Sequence, residues 1–549
     1  MNKTRILVAD AWPYVNGKLH IGHLAGHVLP ADIFARFNRF IGNEVLFVSG
    51  SDCYGTPITV EADKRGTTPQ AIVDEYHPAI VELYQTYGIS YDLYTKTATL
   101  NHTKVVQDMF VALCEHGYIS IGSSQQYYDG SQKRFLPDRY VEGVCVHCGF
   151  VGARSDQCDN CGRVLSPGEL KNPVSKLTNK PVELRETEHY FLDLPKLSPM
   201  LEAFVEKREK NWRPWVREET RGWLKRGLEP RAITRDLEWG IPIPVERLPQ
   251  ELRIEGVDRK RIYVWFDAVI GYLSASIEWG EKNDAWKPFW YPNDDIPTKH
   301  YYFMGKDNLV FHTLFWPAQL YGYDEHIHLP DEYPINQYLN LGGHKFSKSR
   351  GVIVDSRDIA QQYGVDPVRF YITSILPEQA DANFTWEDFH RFYNDIMIGT
   401  FGNFLNRVLT LAQDMTWTQK PVIDTSIQQG ITELITARQH LSACEFKAYV
   451  ARLLAAAAIG NKYIDTQKPW KLDRKSVEYQ SVIGNALCLV VGIAIAVVPL
   501  IPETATKLQQ MLGVSIAQWE EDLTSQIAGI VTQAHVEGVA PLFKKLELQ

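Results

Sequence analysis

The sequence has no apolar run long enough to span a membrane. Its longest, Ala486 to Ile501, is sixteen residues and contains Gly492 and Pro499, whereas a spanning helix needs about 20 predominantly apolar residues. That run is expected to form a buried helix of a bundle. The N-terminus, Met1 to Asp10, lacks the charged-then-apolar pattern of a secretory signal. Cysteines are few, eight in 549 residues, which excludes a secreted disulfide framework and fits a cytoplasmic protein. There is no excess of positive charge. Lys and Arg number 57 against 66 Asp and Glu, a net charge of −9, so any nucleic-acid contact must use local basic patches. Internal repeats and low-complexity linkers are also missing. The composition, 45% hydrophobic, 22% charged and 12% aromatic, is that of an ordinary globular chain and excludes disordered, collagen-like and coiled-coil classes.

A chain of this length predicts about three or four domains. Arg5 to Asp10 reads as a short buried strand, Ile21 to Phe40 as a helix with one apolar side, and Glu44 to Val48 as a second strand. Strand, helix, strand in so short a stretch predicts a βαβ unit and a parallel sheet. From Gly117 to Arg235 turns, cysteines and short strands take over, followed by a charged helical stretch. The α/β pattern resumes with Ile262 to Phe266, read as a strand, and with Tyr301 to Met304. After about Ala380 strand signals nearly vanish, and helices run to about Val531. The expected architecture is an α/β nucleotide fold split by an insertion and followed by an all-α bundle. Its segments are 1–116 and 236–330 for the two halves, 117–235 for the insertion, 331–380 for a loop-bearing connection and 381–549 for the bundle.

Three constellations carry chemistry. His20-Ile21-Gly22-His23 opens the first helix, where free N–H groups and the helix dipole favour phosphate. Gly22 allows close approach of a base. Gly342 to Gly351 brackets four cations and two hydroxyls, including Lys345 and Lys348, a loop able to fold over an anion such as pyrophosphate. The two knuckles Cys145-Val146-His147-Cys148-Gly149 and Cys158-Asp159-Asn160-Cys161-Gly162 can converge four thiolates on one tetrahedral Zn²⁺. Such a site leaves no open position, so the metal is structural. Asp52 lies just past the second strand's end, where open α/β sheets bind ligands; a turn-forming Asp is the plainer alternative. Between Lys207 and Arg235 ten Lys/Arg face four Glu, with Trp212, Trp215 and Trp223 interleaved. This stretch either touches an RNA acceptor end or forms a solvated face with tryptophans inward.

Taken together, H-x-G-H early and K-x-S-K-S late across a split α/β fold resemble the class I aminoacyl-tRNA synthetases, and within them the methionyl-tRNA synthetase family. The resemblance covers nearly the whole chain, including Pro13 to Gly17, Gly55-Thr56-Pro57, Tyr263 to Ala268, Ile270-Gly271-Tyr272, Gly305-Lys306-Asp307 and Leu314 to Pro317. It implies a Rossmann-like catalytic domain with a zinc-knuckle insertion. It implies that methionine is activated with ATP and Mg²⁺ to methionyl-adenylate, then transferred to the terminal adenosine of tRNA(Met), initiator included. By resemblance, His20, Gly22, His23, Asp307 and Lys348, helped by Lys345, meet ATP, and Asp52 meets the methionine ammonium. Trp12, Tyr14, Trp265, Ala268, Tyr272, His312 and Trp316 wall the side-chain pocket, where thioether–aromatic contacts are favourable by about 0.3–1.5 kcal/mol. Arg235 supports the site, and Asn403, Arg407 and Trp470 read the anticodon. The sequence departs from the common family pattern at Trp12, Val269, Phe346 and Cys53-Tyr54, of which Trp12 and Val269 touch the expected pocket.

Other classes are less consistent with these residues. A small-molecule adenylyltransferase has no use for the helical tail and zinc insertion. A non-catalytic tRNA-binding paralogue has no need of intact histidines and lysines. Valyl, isoleucyl and leucyl enzymes carry a much larger insertion, and a cysteinyl enzyme places its zinc in the active site. The bundle is followed by no appended dimerisation domain, so a monomer is expected.

Overall fold

The structure is a computed structural model that describes the chain except residues 1–2, 138–139, 156–157, 159, 162–164, 166–167, 343, 346–353, 418–419 and 545–549, and except the side chains of 344–345. At its centre is a five-stranded parallel sheet. Its strands are β1 (Arg5–Asp10), β2 (Glu44–Ser51), β3 (Leu93–Lys96), β4 (Thr298–Gly305) and β5 (Ile335–Asn336), in the order β5-β4-β1-β2-β3. All six β1 residues are buried, as expected of a strand covered on both faces. Ile6 and Val8 join one apolar cluster and Leu7 and Ala9 the other, the alternation a pleated strand requires. The first half of the chain adds strands to one side of β1 and the second half to the other. Strand order therefore reverses between β1 and β4, and ligands of such sheets bind outside the carboxyl ends at that point.

The first helix, α1, runs from Ile21 to Phe40, but residues Leu24–Val28 form a π-helical turn that periodicity does not reveal. Ile262 ends a strand, and α2 (Val264–Gly280) begins two residues later. The expected strand through Phe266 is thus corrected. A short apolar run fits strand and helix equally, and here the longer helical pattern behind it prevails. Trp265 consequently stands on the first turn of a helix, half-buried, rather than on a core strand.

The insertion is a long antiparallel hairpin, Ile119–Asp129 with Glu183–Leu192, enclosing a small sheet of Val141–Cys145, Val151–Arg154 and Leu170–Ser175. Helices Leu194–Arg208 and Pro214–Arg226 return the chain to the central sheet. Trp212 is buried with its indole on the Asp331 carbonyl, and Trp215 donates to the Glu378 carbonyl. These two tryptophans of the basic stretch therefore pack inward.

C-terminal to Phe384 the described elements are helical. They include Asn403–Ala412, α3 (Phe446–Gln467) and α4 (Val477–Ala496). A strand of three residues, Ala382–Phe384, pairs with Leu339–Leu341, too short for any periodic signal. Among the described residues α4 alone is long and apolar enough to cross a membrane, and 89% of its apolar window is buried inside the protein. The bundle shares one apolar cluster with the α1 side of the sheet. Arg369 bolts them together, donating to Asp32 and to the carbonyls of Tyr87, Pro499 and Leu500. Burial alone would raise the Asp32 carboxyl; Arg369 and Arg36 outweigh it and hold it below its ordinary value.

Candidate active site

His20 is the N-cap of α1, and a reciprocal capping box fixes both signature histidines. The Gly22 N–H donates to His20 Nδ1 at 3.2 Å, and the His20 N–H donates to His23 Nδ1 at 3.2 Å. A ring nitrogen that accepts carries no proton, so a neutral His20 holds its proton on Nε2, whereas His23 Nδ1 faces both the His20 N–H and, at 3.3 Å, the His20 carbonyl. The two rings lie 4.0 Å apart, side by side at a helix N-terminus.

The late signature returns to this point. Leu339–Leu341 pairs with His344–Lys345 at the entry of the loop. Beyond its far end, Ile21 N–H donates to the Val354 carbonyl at 3.2 Å and Ser356 N–H to the Leu19 carbonyl at 3.3 Å. Two motifs more than 300 residues apart thus share a hydrogen-bonded seam. Lys348 and the side chain of Lys345 lie outside the described residues. Asp307 follows the carboxyl end of β4, exposed, and accepts from the Tyr338 hydroxyl.

Past the carboxyl end of β2 lies an acidic, aromatic cluster. Asp52 immediately follows β2 and is buried, accepting from the Tyr54 N–H at 3.1 Å. Its backbone pairs with the Pro13 to Val15 loop, which brings Tyr14 alongside. Asp267, on the first turn of α2, is fully buried, and among the described residues neither carboxylate oxygen has a hydrogen-bond partner. Burial raises both carboxyls well above the ordinary range, and the charge of Asp52 adds to the rise at Asp267. Two such groups cannot both ionise without a cation. Burial therefore favours the protonated, neutral form of the pair.

Trp265, Ala268 and Tyr272 sit at helical spacings of three and four on one face of α2. Tyr272 and His312 are joined at 2.7 Å, and His312 Nδ1 lies 2.9 Å from the Asn308 carbonyl. His312 therefore donates through Nδ1 and accepts from the Tyr272 hydroxyl through Nε2. Burial lowers its pKa to about 4, keeping the ring neutral. Trp316 and Trp12 present edges to Tyr272 at 6.2 and 6.5 Å. Trp12 fits because its neighbours are glycines. A Cβ on Gly50 or Gly271 would lie 2.5 or 2.7 Å from the indole. Trp265 stacks on Phe311 at 4.4 Å. Arg235 lies 4.1 Å over the Tyr263 ring and donates to the carbonyls of Ala232 and Thr234, one residue before α2.

The four knuckle cysteines are also assembled. All four sulfurs lie within 4.8 Å of one another, with Cys148–Cys158 at 3.6 Å and Cys145–Cys161 at 4.0 Å. A tetrahedral Zn–S₄ site with bonds of about 2.3 Å has edges of roughly 3.8 Å, so the residues fit this metal. None is in a disulfide. The Phe150 N–H and the Asn160 amide lower Cys148 to about 6, favouring the thiolate a metal needs.

The comparisons with known proteins agree with this geometry. A family model described as tRNA synthetases class I (M) matches residues 6–409, and one described as the anticodon binding domain of methionyl tRNA ligase matches residues 418–549. A methionine–tRNA ligase of Roseiflexus castenholzii is 43% identical over 92% of this chain and 87% of its own length. One from Dehalococcoides mccartyi is 41% identical over 99% and 97%. The chain belongs to the methionyl-tRNA synthetase family. Its fold matches that of the Mycobacterium tuberculosis methionyl-tRNA synthetase in complex with methionyl-adenylate, with a TM-score of 0.77, 22% identity and coverage of 99% and 100%.

The residues that the family resemblance assigns to the anticodon gather on one exposed surface. Asn403 donates to Asn461 at 3.2 Å, and Arg407 to Asp465 at 2.8 Å while lying 5.6 Å over the Trp470 ring. Trp470 is 53% exposed, so it is no core residue. Sequence reasoning missed Asn461 and Asp465, although their spacing of four on α3 mirrors that of Asn403 and Arg407. It also passed over Asp267, whose signal was an acid inside an otherwise apolar and aromatic run.

Proposed function

We propose that this chain is a methionine–tRNA ligase that forms methionyl-adenylate from methionine and ATP and then charges tRNA(Met). One observation carries the reading: two buried carboxyls, with no counter-ion among the described residues, stand with a cluster of aromatic side chains past the carboxyl end of β2, and a histidine pair caps the helix that follows β1. The methionine ammonium pairs with Asp52, next to Asp267. The thioether lies among Trp12, Tyr14, Trp265, Ala268, Tyr272, His312 and Trp316. The methionine carboxylate then attacks the α-phosphate of ATP. His20 and His23 donate to the charge that grows on the phosphates, with Gly22 and Asp307 placing the nucleotide. Lys348 and Lys345 hold the pyrophosphate side, and Arg235 supports the entrance to α2. Catalysis is positioning and charge stabilisation. Mg²⁺ bound with ATP supplies further neutralisation of phosphate charge.

In the second step the ribose hydroxyl of the terminal tRNA adenosine takes the methionyl group and AMP leaves. A cavity of about 560 Å³ between the insertion, the helix Thr56–Arg65 and the segment 236–261, lined by Asp63, Tyr140, Asp236, Trp239 and Lys260, suits the entry of the acceptor end. The division of labour follows the segments 1–116, 117–235, 236–330, 331–380 and 381–549, with the last reading the anticodon of elongator and initiator tRNA through Asn403, Arg407 and Trp470. One Zn²⁺ on Cys145, Cys148, Cys158 and Cys161 holds the insertion together. The protein acts as a cytoplasmic monomer. ATP–pyrophosphate exchange across all twenty amino acids tests the reading: methionine should support it far better than any other. Faster exchange with leucine or cysteine rejects it.

A further inference from the structure

The histidine-bearing helix contains a defect that another part of the chain repairs. In the π turn Leu24–Val28, the Leu29 N–H donates to the Leu24 carbonyl, five residues back, and so is taken from Ala25, its partner in a regular α-helix. The next residue is Pro30, which has no N–H to offer Ala25 at the five-residue spacing. The Ala25 carbonyl is therefore left without a helical donor, and such a buried group must find one elsewhere.

Asn336, the last residue of β5 and 1% exposed, supplies it. Its Nδ2 donates to the Ala25 carbonyl at 2.9 Å. Its Oδ1 accepts from Arg213 Nη1 at 2.7 Å, and Arg213 also donates to the Ile335 carbonyl and, at 3.3 Å, to the Cys444 carbonyl. A guanidinium only donates, so the amide oxygen must face Arg213 and the amide NH₂ must face Ala25. Arg213 thus sets the orientation of Asn336, and Asn336 satisfies the carbonyl that the π turn frees. That turn lies immediately after His23. It sets the rotation of the His20–His23 end of the helix relative to the buried end, Leu29–Phe40, which is packed on the sheet.

We propose that Asn336, oriented by Arg213, is a positioning residue for adenylate formation: it holds the π turn whose phase aims His20 and His23 at the nucleotide phosphates. This rests on the proposed role of the two histidines. The test uses Asn336→Asp in the full-length enzyme, since aspartate keeps the pair with Arg213 but turns an acceptor toward the Ala25 carbonyl. Exchange is measured per active site by titration, with methionine KM and thermal melting alongside. The expected result is an exchange kcat lower by about 10–100-fold at unchanged methionine KM. Combining Asn336→Asp with His23→Ala should add little to the loss from His23→Ala alone, because residues acting as one unit are not additive. A wild-type kcat in Asn336→Asp, or losses that multiply, overturns the proposal. Normal exchange in His23→Ala rejects the histidine role instead. If Asn336→Asp fails to fold, Arg213→Lys, which cannot hold three acceptors in a fork, should lower kcat in the same selective way, and an unchanged kcat there also overturns it.

Discussion

Replacing Asp52 by asparagine should change stability and methionine binding in opposite directions. Asp52 and Asp267 are both buried, and neither Asp267 oxygen has a hydrogen-bond partner among the described residues. Folding raises both carboxyls well above the ordinary range because burial penalises their charge. A carboxyl raised by folding holds its proton more tightly in the folded state. Its contribution to stability is intact below the ordinary carboxylate pKa and is lost as pH rises through the folded value. At neutral pH the pair therefore destabilises the ligand-free protein. Asparagine keeps the shape and the acceptor for the Tyr54 N–H, now 3.1 Å away, and has no charge to desolvate. Asp52→Asn should melt at a higher temperature than the wild type at neutral pH, and the gap should close as pH falls into the carboxylate range. Methionine reverses the balance, because its ammonium supplies the missing counter-charge. Removing one partner of a buried ion pair costs about 3–5 kcal/mol, roughly a hundredfold to a few thousandfold in Kd. Calorimetric titration with methionine measures this directly. Wild-type affinity should also strengthen as pH rises, since the ammonium needs the proton off Asp52, and that slope should flatten in the variant. A variant Kd within about threefold of wild type, or a lower melting temperature at neutral pH, would refute the reasoning.

Further outcomes follow from the same geometry. Trp470→Ala should raise the tRNA KM by the value of one base stack, about 1–3 kcal/mol, and leave exchange and melting unchanged; equal losses in exchange and charging would return Trp470 to a structural role. Cys158→Ala, or removal of metal by chelation, should unfold the insertion's small sheet while the bundle keeps its helical signal, because a structural zinc contributes on the order of 10–16 kcal/mol; metal analysis without zinc contradicts this. Lys348→Ala should slow exchange by roughly 2.7–4 kcal/mol of transition-state stabilisation with methionine affinity retained, as single-turnover kinetics and equilibrium binding would show. Tyr272→Phe leaves the buried His312 Nε2 without its donor, at about 1–3 kcal/mol, and should weaken methionine binding more than ATP binding in exchange kinetics.

Local chemistry by itself determined much of this protein. The run Arg5–Asp10, closed by a turn-rich loop, already reads as a covered strand, C-x-x-C-G twice is already a metal-ligand spacing, and an apolar stretch broken by Gly492 and Pro499 is a bundle core. Histidines placed where a helix begins already suggest phosphate. Each of these is legible because its cause lies within a few residues of its effect. What only the tertiary structure decided depends on partners far away in the chain. Whether Tyr263 to Phe266 is strand or helix was settled by packing, since its short apolar run suits both. Asp267 became a candidate only once it was found buried without a partner, a property of everything folded around it. The seam between Leu19–Ile21 and Val354–Ser356 joins two signatures that the sequence shows only as separate motifs. The π turn behind His23 depends on an asparagine 311 residues away. Pro30 marks where a helical donor is missing, but the fold alone determines which side chain replaces it.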